Sequence, residues 1–466
     1  MPLSARKIAN DASLQAFVNC YLREVDAGQW HSAEQWQAAS GVRLDQSETH
    51  VVELALESQE QVLALGVRFR SQVGRHTLTC VHRRRQGQRD WRRLDSVSTE
   101  LLLIDALYAQ QPESEQRLEL LGRVIESHQV MTQYLEHHLA HVDAERARGT
   151  ESSFIESEQS VALGHWLHPT PKSRQGMHGW HHAHFAPELG GRFQLHFFAA
   201  ARELVIQESI LDVTAEEISR RMAEFGAGGE RFRRLTETLG DDFCFLPVHP
   251  LQAVWLLHRE DVRECIAAGK LIELGRFGPA FTPTSSVRTL YSDEFDLMIK
   301  LSIPVKITNS LRINLQTELG DSVWISKLLR EVGLERDFPE LKPIEDPAYI
   351  SLALPGREET GFEIIFRSNP FAESALDSSE PGLSTPGTSK VVHSIAALVQ
   401  EPIVEGSRSK LCEFVRAFGL RESLPLEEAS RRWFDAYWKC AVEAPLRIYD
   451  RHGIALEAHQ QNSLLE

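Results

Sequence analysis

The spacing of apolar residues changes character several times along this chain. Over residues 11–27, Leu14, Phe17, Val18, Tyr21, Leu22 and Val25 recur at helical intervals behind Asp11, which predicts an amphipathic helix with Asp11 as its N-cap. Over residues 50–97 the pattern shortens to VVELAL, VLALGVRF, HTLTCV and WRRLDSV, separated by Gly and charged residues, which predicts an antiparallel meander. The helical period returns over 98–147 through Leu118, Leu121, Val124 and Ile125. In the middle third, QLHFFAA, FCFLPV, LIELG, DLMIKLSI and GFEIIF predict strands, with helices near 215–225 and 320–332. Residues 371–389 are rich in Ser, Pro and Gly with no apolar period and read as a mobile loop or linker, and 407–450 read as helical again.

These elements predict an α+β chain of several domains with antiparallel sheets and helical segments. At 466 residues it exceeds a single ordinary core. The expected division is 1–160, helices plus the meander; 161–390, a mixed domain carrying the chemistry; and 391–466, the start of a helical domain. No apolar run is long enough for a signal peptide or a membrane span, and the six cysteines lie far apart without a CxxC pair, so a cytoplasmic protein with reduced thiols is expected. The net charge of −16 argues against nucleic acid as the main partner, while a local basic cleft still attracts anions. Arg83, Arg84, Arg85, Arg89, Arg92 and Arg93 around Gly87 read as a solvated hairpin tip rather than a nucleic-acid contact, because no aromatic residues interleave them in a strand pattern.

Four segments concentrate chemistry. Residues 164–176, GHWLHPTPKSRQG, hold His165, His168, Lys172 and Arg174; Pro169 and Pro171 bar a regular helix, and Lys and Arg two apart on extended backbone point the same way. Such a loop suits an anion, or is a surface loop with incidental charge. Residues 282–289, TPTSSVRT, followed by Lys300, pair hydroxyl donors with an arginine, a set that fits phosphate oxygens, or form a Thr-rich strand edge. In residues 300–314, KLSIPVKITNSLRIN, Lys300 and Ser302 share a face if extended, as do Lys306 and Thr308 beyond Pro304, with Asn309 and Arg312 close behind. Charges in an apolar run need a partner or a ligand, unless this is an edge strand facing water. In residues 453–462, GIALEAHQQN, Glu457, His459 and Gln461 alternate and would share a face of a strand; they suit hydrated Mg²⁺ and proton transfer or anion binding, or are a polar end. His182 and His184 of HHAH could chelate a transition metal, the basis of a third reading as a metal-dependent hydrolase, but packing or substrate contact is the stronger expectation. GxxxxGK[ST], GxGxxG after a strand, HExxH and GxSxG are all absent from the sequence.

Together these segments resemble the NRPS-independent siderophore (NIS) synthetases, the aerobactin-synthetase IucA/IucC-like family. GHWLHPTPKSRQG, LPVHPLQ (246–252), TPTSSVRT, KLSIPVKITNSLRIN and GIALEAHQQN follow the family's order across about 300 residues. The resemblance implies a cupped hand of thumb, fingers and palm. It implies Mg·ATP and a polycarboxylate, most often citrate, that is adenylated and then joined to an amine or hydroxyl substrate, in siderophore biosynthesis for iron acquisition. A homodimer without nucleic-acid or membrane partners is expected. Carried over, Ser286, Arg288, Thr289 and Lys300 hold the ATP phosphates; Thr308, Asn309, Arg312 and His459 hold the carboxylate; Glu457 and Gln461 lie near Mg²⁺. His165, His168, Lys172 and Arg174 contact nucleotide or substrate, with His459 or His165 as proton acceptor and Arg312 as a catalytic cation. Two anions meet in this reaction, so the implied pocket is cationic, with Arg and Lys lacking a compensating carboxylate.

Family members continue well beyond the EAHQQN run, and this sequence has four residues after Asn462. That raises the expectation of a chain that is inactive, poorly soluble or associating on its own, and it keeps open a non-catalytic protein that binds ATP or carboxylate without ligation.

Overall fold

In the computed structural model of the chain, which describes residues 4–148, 152–226, 228–371, 391–404 and 406–466, the first helix begins earlier than its apolar spacing suggested. It runs Ala5–Glu24 and is capped by Ser4, whose side chain accepts from the Lys7 N–H. Asp11 is therefore not a cap; it sits inside the helix and pairs with Lys7 one turn back at 2.6 Å. The meander forms. Strands His50–Leu56, Gln61–Phe69, Thr77–Arg85 and Arg92–Leu94 pair antiparallel in chain order, with an additional strand Gln29–Ser32 on the outer edge. Leu54, Leu63 and Leu65 on its inner face pack against Phe17, Val18 and Leu103. The helical stretch 98–147 is two helices, Ser96–Leu107 and Glu115–Arg148. Pro112 lies between them, lacking an N–H and disfavouring helical backbone before it. The arginine cluster is the hairpin tip expected: Gly87 turns with φ 80° and Arg84 stacks over Trp91 at 4.9 Å.

Among the described residues the middle of the chain builds one eight-stranded antiparallel sheet. Its order is Val205–Ser209, Ala348–Leu352, Ile364–Ser368, Leu297–Leu301, Thr289–Tyr291, Leu271–Pro283, Phe193–Ala201 and Phe243–Val248. All five strand runs read from the sequence are in it; Val205–Ser209, Thr289–Tyr291 and Ala348–Leu352 were not among them. Helices Ala215–Glu224 and Gly229–Leu239 cover one face, and Phe232 sits edge-on to Phe197, Phe245 and Phe277 in the densest part of the core. Gly278 lets helix and sheet approach closely: with φ 81°, a Cβ there would lie 2.7 Å from the Met222 carbonyl oxygen. The stretch 371–389 lies, apart from Phe371, outside the described residues.

The C-terminal stretch is three helices, Lys410–Arg421, Leu426–Trp438 and Ala444–His452, the last two joined by a π-helical turn, Lys439–Glu443. Ala444 and Ile448 pack on Leu329, Leu334 and Phe338. The chain then returns to the sheet domain, where Leu464–Leu465 pairs antiparallel with His393–Ser394. All six cysteines are free thiols, and no described helix is long and apolar enough to cross a membrane. Because Phe232 fills a fully buried aromatic cluster, Phe232→Ala is expected to cost about 3–5 kcal/mol in chemical denaturation.

Candidate active site

Residues 284–288 connect the long strand Leu271–Pro283 to the short strand Thr289–Tyr291. The turn is tight: Val287 N–H donates to Thr284 O at 2.8 Å and Thr284 N–H to Thr289 O at 2.9 Å. Ser286 Oγ accepts from the Thr289 N–H at 3.1 Å. Val287 has φ 68°, a left-handed conformation that a β-branched residue rarely adopts, and its buried side chain holds it there. Beyond the turn, Thr289 pairs across the sheet with Lys300. Arg288 Nη1 donates to Ile313 O and to Asn314 Oδ1, both at 3.0 Å. Asn314 is fully buried and joins three strands' ends, its Nδ2 donating to Lys300 O and Glu363 O and its N–H to Ser302 Oγ. Ser302 thus turns toward Asn314 and Glu363.

Past Pro304 the chain forms a two-residue hairpin, Lys306–Ile307 against Ser310–Leu311. Thr308 and Asn309 are its tip, both left-handed (φ 48° and 70°). The expected strand face shared by Lys306 and Thr308 therefore does not exist. Lys306 reaches away to Glu119 at 2.6 Å, while Thr308 Oγ1 accepts from Arg312 Nη2 at 2.7 Å. Arg312 Nε is buried with no hydrogen-bond partner.

The 164–176 loop is laid along the long helix Glu115–Arg148. Successive turns of that helix hold it: Arg123 donates to Thr170 Oγ1 at 2.9 Å, Ser127 Oγ accepts from the Lys172 N–H at 3.1 Å, Glu126 accepts from Ser173 Oγ at 2.5 Å, and Tyr134 Oη accepts from Arg174 at 2.6 Å. Lys172 and Arg174 point to the same side, as expected, but into the protein. Both are buried and both donate to one oxygen of Glu188 at 2.6 Å. Burial alone would raise the Glu188 carboxyl; Arg174 and Lys172 outweigh it and pull it down to about 2. Assigning Lys172 and Arg174 to direct nucleotide contact is thus corrected: their donors are taken up by Glu188, and their role is to fix the loop. His168 is buried, its Nδ1 accepting from the Thr170 N–H and its Nε2 unpartnered, and burial with Arg123 nearby pushes it down to about 4. His165 is exposed overall, and partial desolvation of its ring, with His459 nearby, lowers its pKa.

The 453–462 run is not a strand, so Glu457, His459 and Gln461 do not alternate on one face. It is an irregular segment closed by a turn in which His459 Nδ1 accepts from the Gln461 N–H at 3.2 Å. Gln461 Nε2 donates to Ser285 Oγ at 3.0 Å, and Asn462 Nδ2 donates to a Glu457 carboxylate oxygen at 3.1 Å. The segment thereby lies against the 284–288 turn, and Glu457 is near enough to Arg312 to act on its charge.

The four segments therefore meet. Desolvation lowers Arg288 to about 10, with Arg312 adding to the effect, and lowers Lys300 to about 8, with Arg367 and Arg288 adding. Among the described residues no carboxylate lies within ion-pairing distance of Arg288, Lys300 or Arg312. Arg367, which sequence reasoning missed, is instead neutralised by Asp346 through two parallel hydrogen bonds of 2.7 and 2.9 Å. Glu188, Glu158 and Asn314 were missed as well. Buried cations require partners, but nothing in linear spacing says which carboxylate supplies them.

The HHAH histidines diverge. His182 is buried, with Nδ1 2.7 Å from Tyr134 Oη, and burial with Arg174 nearby pushes it down to about 4, whereas His184 is exposed. No described group of three or more His, Cys, Asp or Glu is arranged to hold a metal by itself. Glu457 and Gln461 fit Mg²⁺ only as a shared ion. One exposed carboxylate and one amide are the protein's usual share when phosphate oxygens and water complete the shell. LPVHPLQ is a strand-to-helix joint: His249 caps helix Pro250–Leu257, accepting from the Leu251 N–H, and burial holds it neutral at about 3 between Phe185 and Phe193.

The sequence model described as the IucA / IucC family matches residues 153–400, just over half of the chain. The chain belongs to the IucA/IucC family. A second model, the ferric iron reductase FhuF-like transporter, matches residues 431–466 alone. Relatives in the IucA/IucC family include a spermidine-citrate ligase of Bacillus anthracis, 35% identical over 99% of this chain and 75% of its own length. Another is the rhizobactin siderophore biosynthesis protein RhbC of Rhizobium meliloti, 33% identical over 80% of this chain and 61% of its own length. The fold is that of ATP-bound aerobactin synthetase IucA from Klebsiella pneumoniae, with TM-score 0.82 at 23% identity over 98% of this chain and 76% of that one. The turn 284–289, the hairpin 306–312 and the 164–176 loop all lie inside the matched 153–400 region.

Glu188 is the carboxylate that both buried cations contact, so Glu188→Gln is expected to cost about 3–5 kcal/mol. The pH dependence has a definite sign. Glu188 ionises more readily folded than unfolded, so its contribution is present above the ordinary carboxyl value of 4.5 and is lost as pH falls from there toward 2. Denaturation midpoints measured across that window should fall more steeply for the wild type than for the variant.

Proposed function

We propose that this chain is an ATP-dependent siderophore synthetase that adenylates a carboxyl group of citrate or a related polycarboxylate and condenses it with an amine or hydroxyl substrate. The observation that carries this reading is the convergence of Arg288, Lys300 and Arg312 with no carboxylate among the described residues in ion-pairing range, beside the turn bearing His459. Three cations left unpaired among apolar strands are costly unless their partner is a ligand, and the ligand must carry several negative charges. A nucleoside triphosphate together with a polycarboxylate satisfies that requirement. The names of the relatives, a spermidine-citrate ligase and a siderophore biosynthesis protein, and the ATP bound in the IucA structure support the same choice.

In the first step a citrate carboxylate oxygen attacks the α-phosphorus of ATP and the bond to pyrophosphate breaks. Ser286, Arg288, Thr289 and Lys300 hold the phosphates, and Thr308, Asn309, Arg312 and His459 orient the carboxylate, so that donors face the charge that moves onto pyrophosphate. Arg312 is already turned by Thr308, and its Nε makes no hydrogen bond within the protein. Mg²⁺ bound by Glu457 and Gln461 would neutralise departing pyrophosphate. In the second step the amine or hydroxyl attacks the acyl carbon, AMP leaves, and the nucleophile's proton passes to a neutral imidazole. His165 and His459 lie close together, and burial favours the uncharged form of His165. The divisions at 160 and 390 belong to the same reading: the segment between them carries the phosphate and carboxylate groups, and the segment after 390 brings His459 back to it.

The test is formation of a citrate hydroxamate from ATP and hydroxylamine. Arg312→Ala and His459→Ala should each lower the rate about 10- to 150-fold, as expected for the loss of a charge-assisted contact worth about 1.5–3 kcal/mol. Calorimetric binding of ATP or citrate without any pyrophosphate release would leave the non-catalytic binding protein in its place.

A further inference from the structure

Glu158 is buried in the short helix Phe154–Gln159, which precedes the 164–176 loop, and sequence reasoning gave it no part. Its Oε2 accepts two hydrogen bonds from one residue of the phosphate-facing turn: from the Ser285 N–H at 2.9 Å and from Ser285 Oγ at 2.7 Å. Ser285 Oγ in turn accepts from Gln461 Nε2 at 3.0 Å. The neighbouring Ser157 Oγ lies 3.3 Å from His393 Nδ1, in the strand that pairs with Leu464–Leu465. Just beyond that strand, the N–H groups of Ile395 and Ala396 donate to Ser463 O and Gln460 O at 2.9 and 3.0 Å. One short helix thus grips the 284–288 turn on one side and the 459–463 turn on the other.

A buried carboxylate is an expensive way to tie down a serine. Burial raises the Glu158 carboxyl, the Ser285 donors and then the Ser394 side chain pull it back, and Glu188 nearby opposes them. An apolar side chain would pack there at less cost, but it would leave the Ser285 N–H unsatisfied and Gln461 without a fixed acceptor.

We propose that Glu158 is a positioning residue for the reaction, acting through Ser285 to set the phosphate-facing turn and the Gln461 segment at a fixed separation. This rests on the ligase reading for its activity readout alone. Glu158 touches no reacting atom in this arrangement; what it controls is whether groups from two distant parts of the sequence face the same phosphates.

A double-mutant cycle on the full chain tests the proposal, with citrate-dependent pyrophosphate release as the assay. Glu158→Ala and Ser285→Ala should each lower kcat/KM for ATP about tenfold or more, and the double variant should fall no further than about threefold below the worse single one. Glu158→Gln keeps an oxygen that accepts from both Ser285 donors and should stay within about threefold of wild type. Effects of the single variants that multiply, or a Ser285→Ala enzyme at the wild-type rate, would overturn it. Ser285→Ala retains the buried carboxylate, so it carries the test should Glu158→Ala fail to fold. Hydrogen exchange without substrate gives an independent readout. Amides of residues 284–291 should exchange faster in Ser285→Ala while those of 193–201 do not change, and unchanged exchange in the turn contradicts the proposal. A wild-type chain that releases no pyrophosphate would remove the ligase reading, and the exchange experiment would still judge the positioning claim.

Discussion

The interaction on which the arrangement depends is the one oxygen of Glu188 shared by Lys172 and Arg174. A buried cation is tolerated when a carboxylate meets it and costly when none does. Here the two cases stand side by side. Lys172, Arg174 and Arg367 are matched by Glu188 and Asp346, and they serve as fixed points for backbone. Arg288, Lys300 and Arg312 have no such partner among the described residues, and desolvation lowers the pKa of each, as it also lowers that of the paired Lys172. Ion-paired cations build the walls, and cations without an ion pair are what the walls hold in place.

The long helix Glu115–Arg148 makes this possible across a large sequence separation. Contacts from Arg123, Glu126, Ser127 and Tyr134 run along its length, so the irregular 164–176 loop inherits the straightness of a helix, and Glu119 on the same helix holds Lys306 of the hairpin. The sheet does the same for the other groups: strand pairing brings Thr289 beside Lys300, and Asn314 locks the ends of those strands to Arg288. The C-terminal turn is the last piece, held by Ser285 and by the strand His393–Ser394.

Much of this was legible in the sequence, and the failures have physical causes. Short continuous apolar runs such as FCFLPV marked strands because both faces of the strand are covered, and FCFLPV is a strand residue for residue. The edge strand Val205–Ser209 and its neighbour Ala348–Leu352 were missed because pairing, rather than composition, defines them. Asp11 looked like a cap because helix starts were judged by residue type, whereas the apolar stripe extends back to Ala5 and Ser4 does the capping. The four chemistry-bearing segments do converge, yet the directions of individual side chains were beyond linear spacing. Left-handed backbone at Thr308 and Asn309 replaced an expected strand, the Glu457–Gln461 alternation became a turn, and Lys172 and Arg174 faced inward to a carboxylate that lies beyond the quoted motif. The segments quoted for the family resemblance meet in the fold, but which side chain partners which required the fold.

The central claim, that unpaired cations await a phosphate ligand, is tested most directly by counting protons on ATP binding. Lys300 is pushed down to about 8, so near pH 8.5 much of it is uncharged in the free protein, and a phosphate anion beside it would restore its proton. Calorimetry of ATP binding at that pH, in buffers of different ionisation enthalpy, should reveal uptake of up to one proton per ATP, and Lys300→Arg, which stays charged, should abolish the uptake. ATP binding with no proton uptake, or uptake that persists unchanged in Lys300→Arg, would contradict the account.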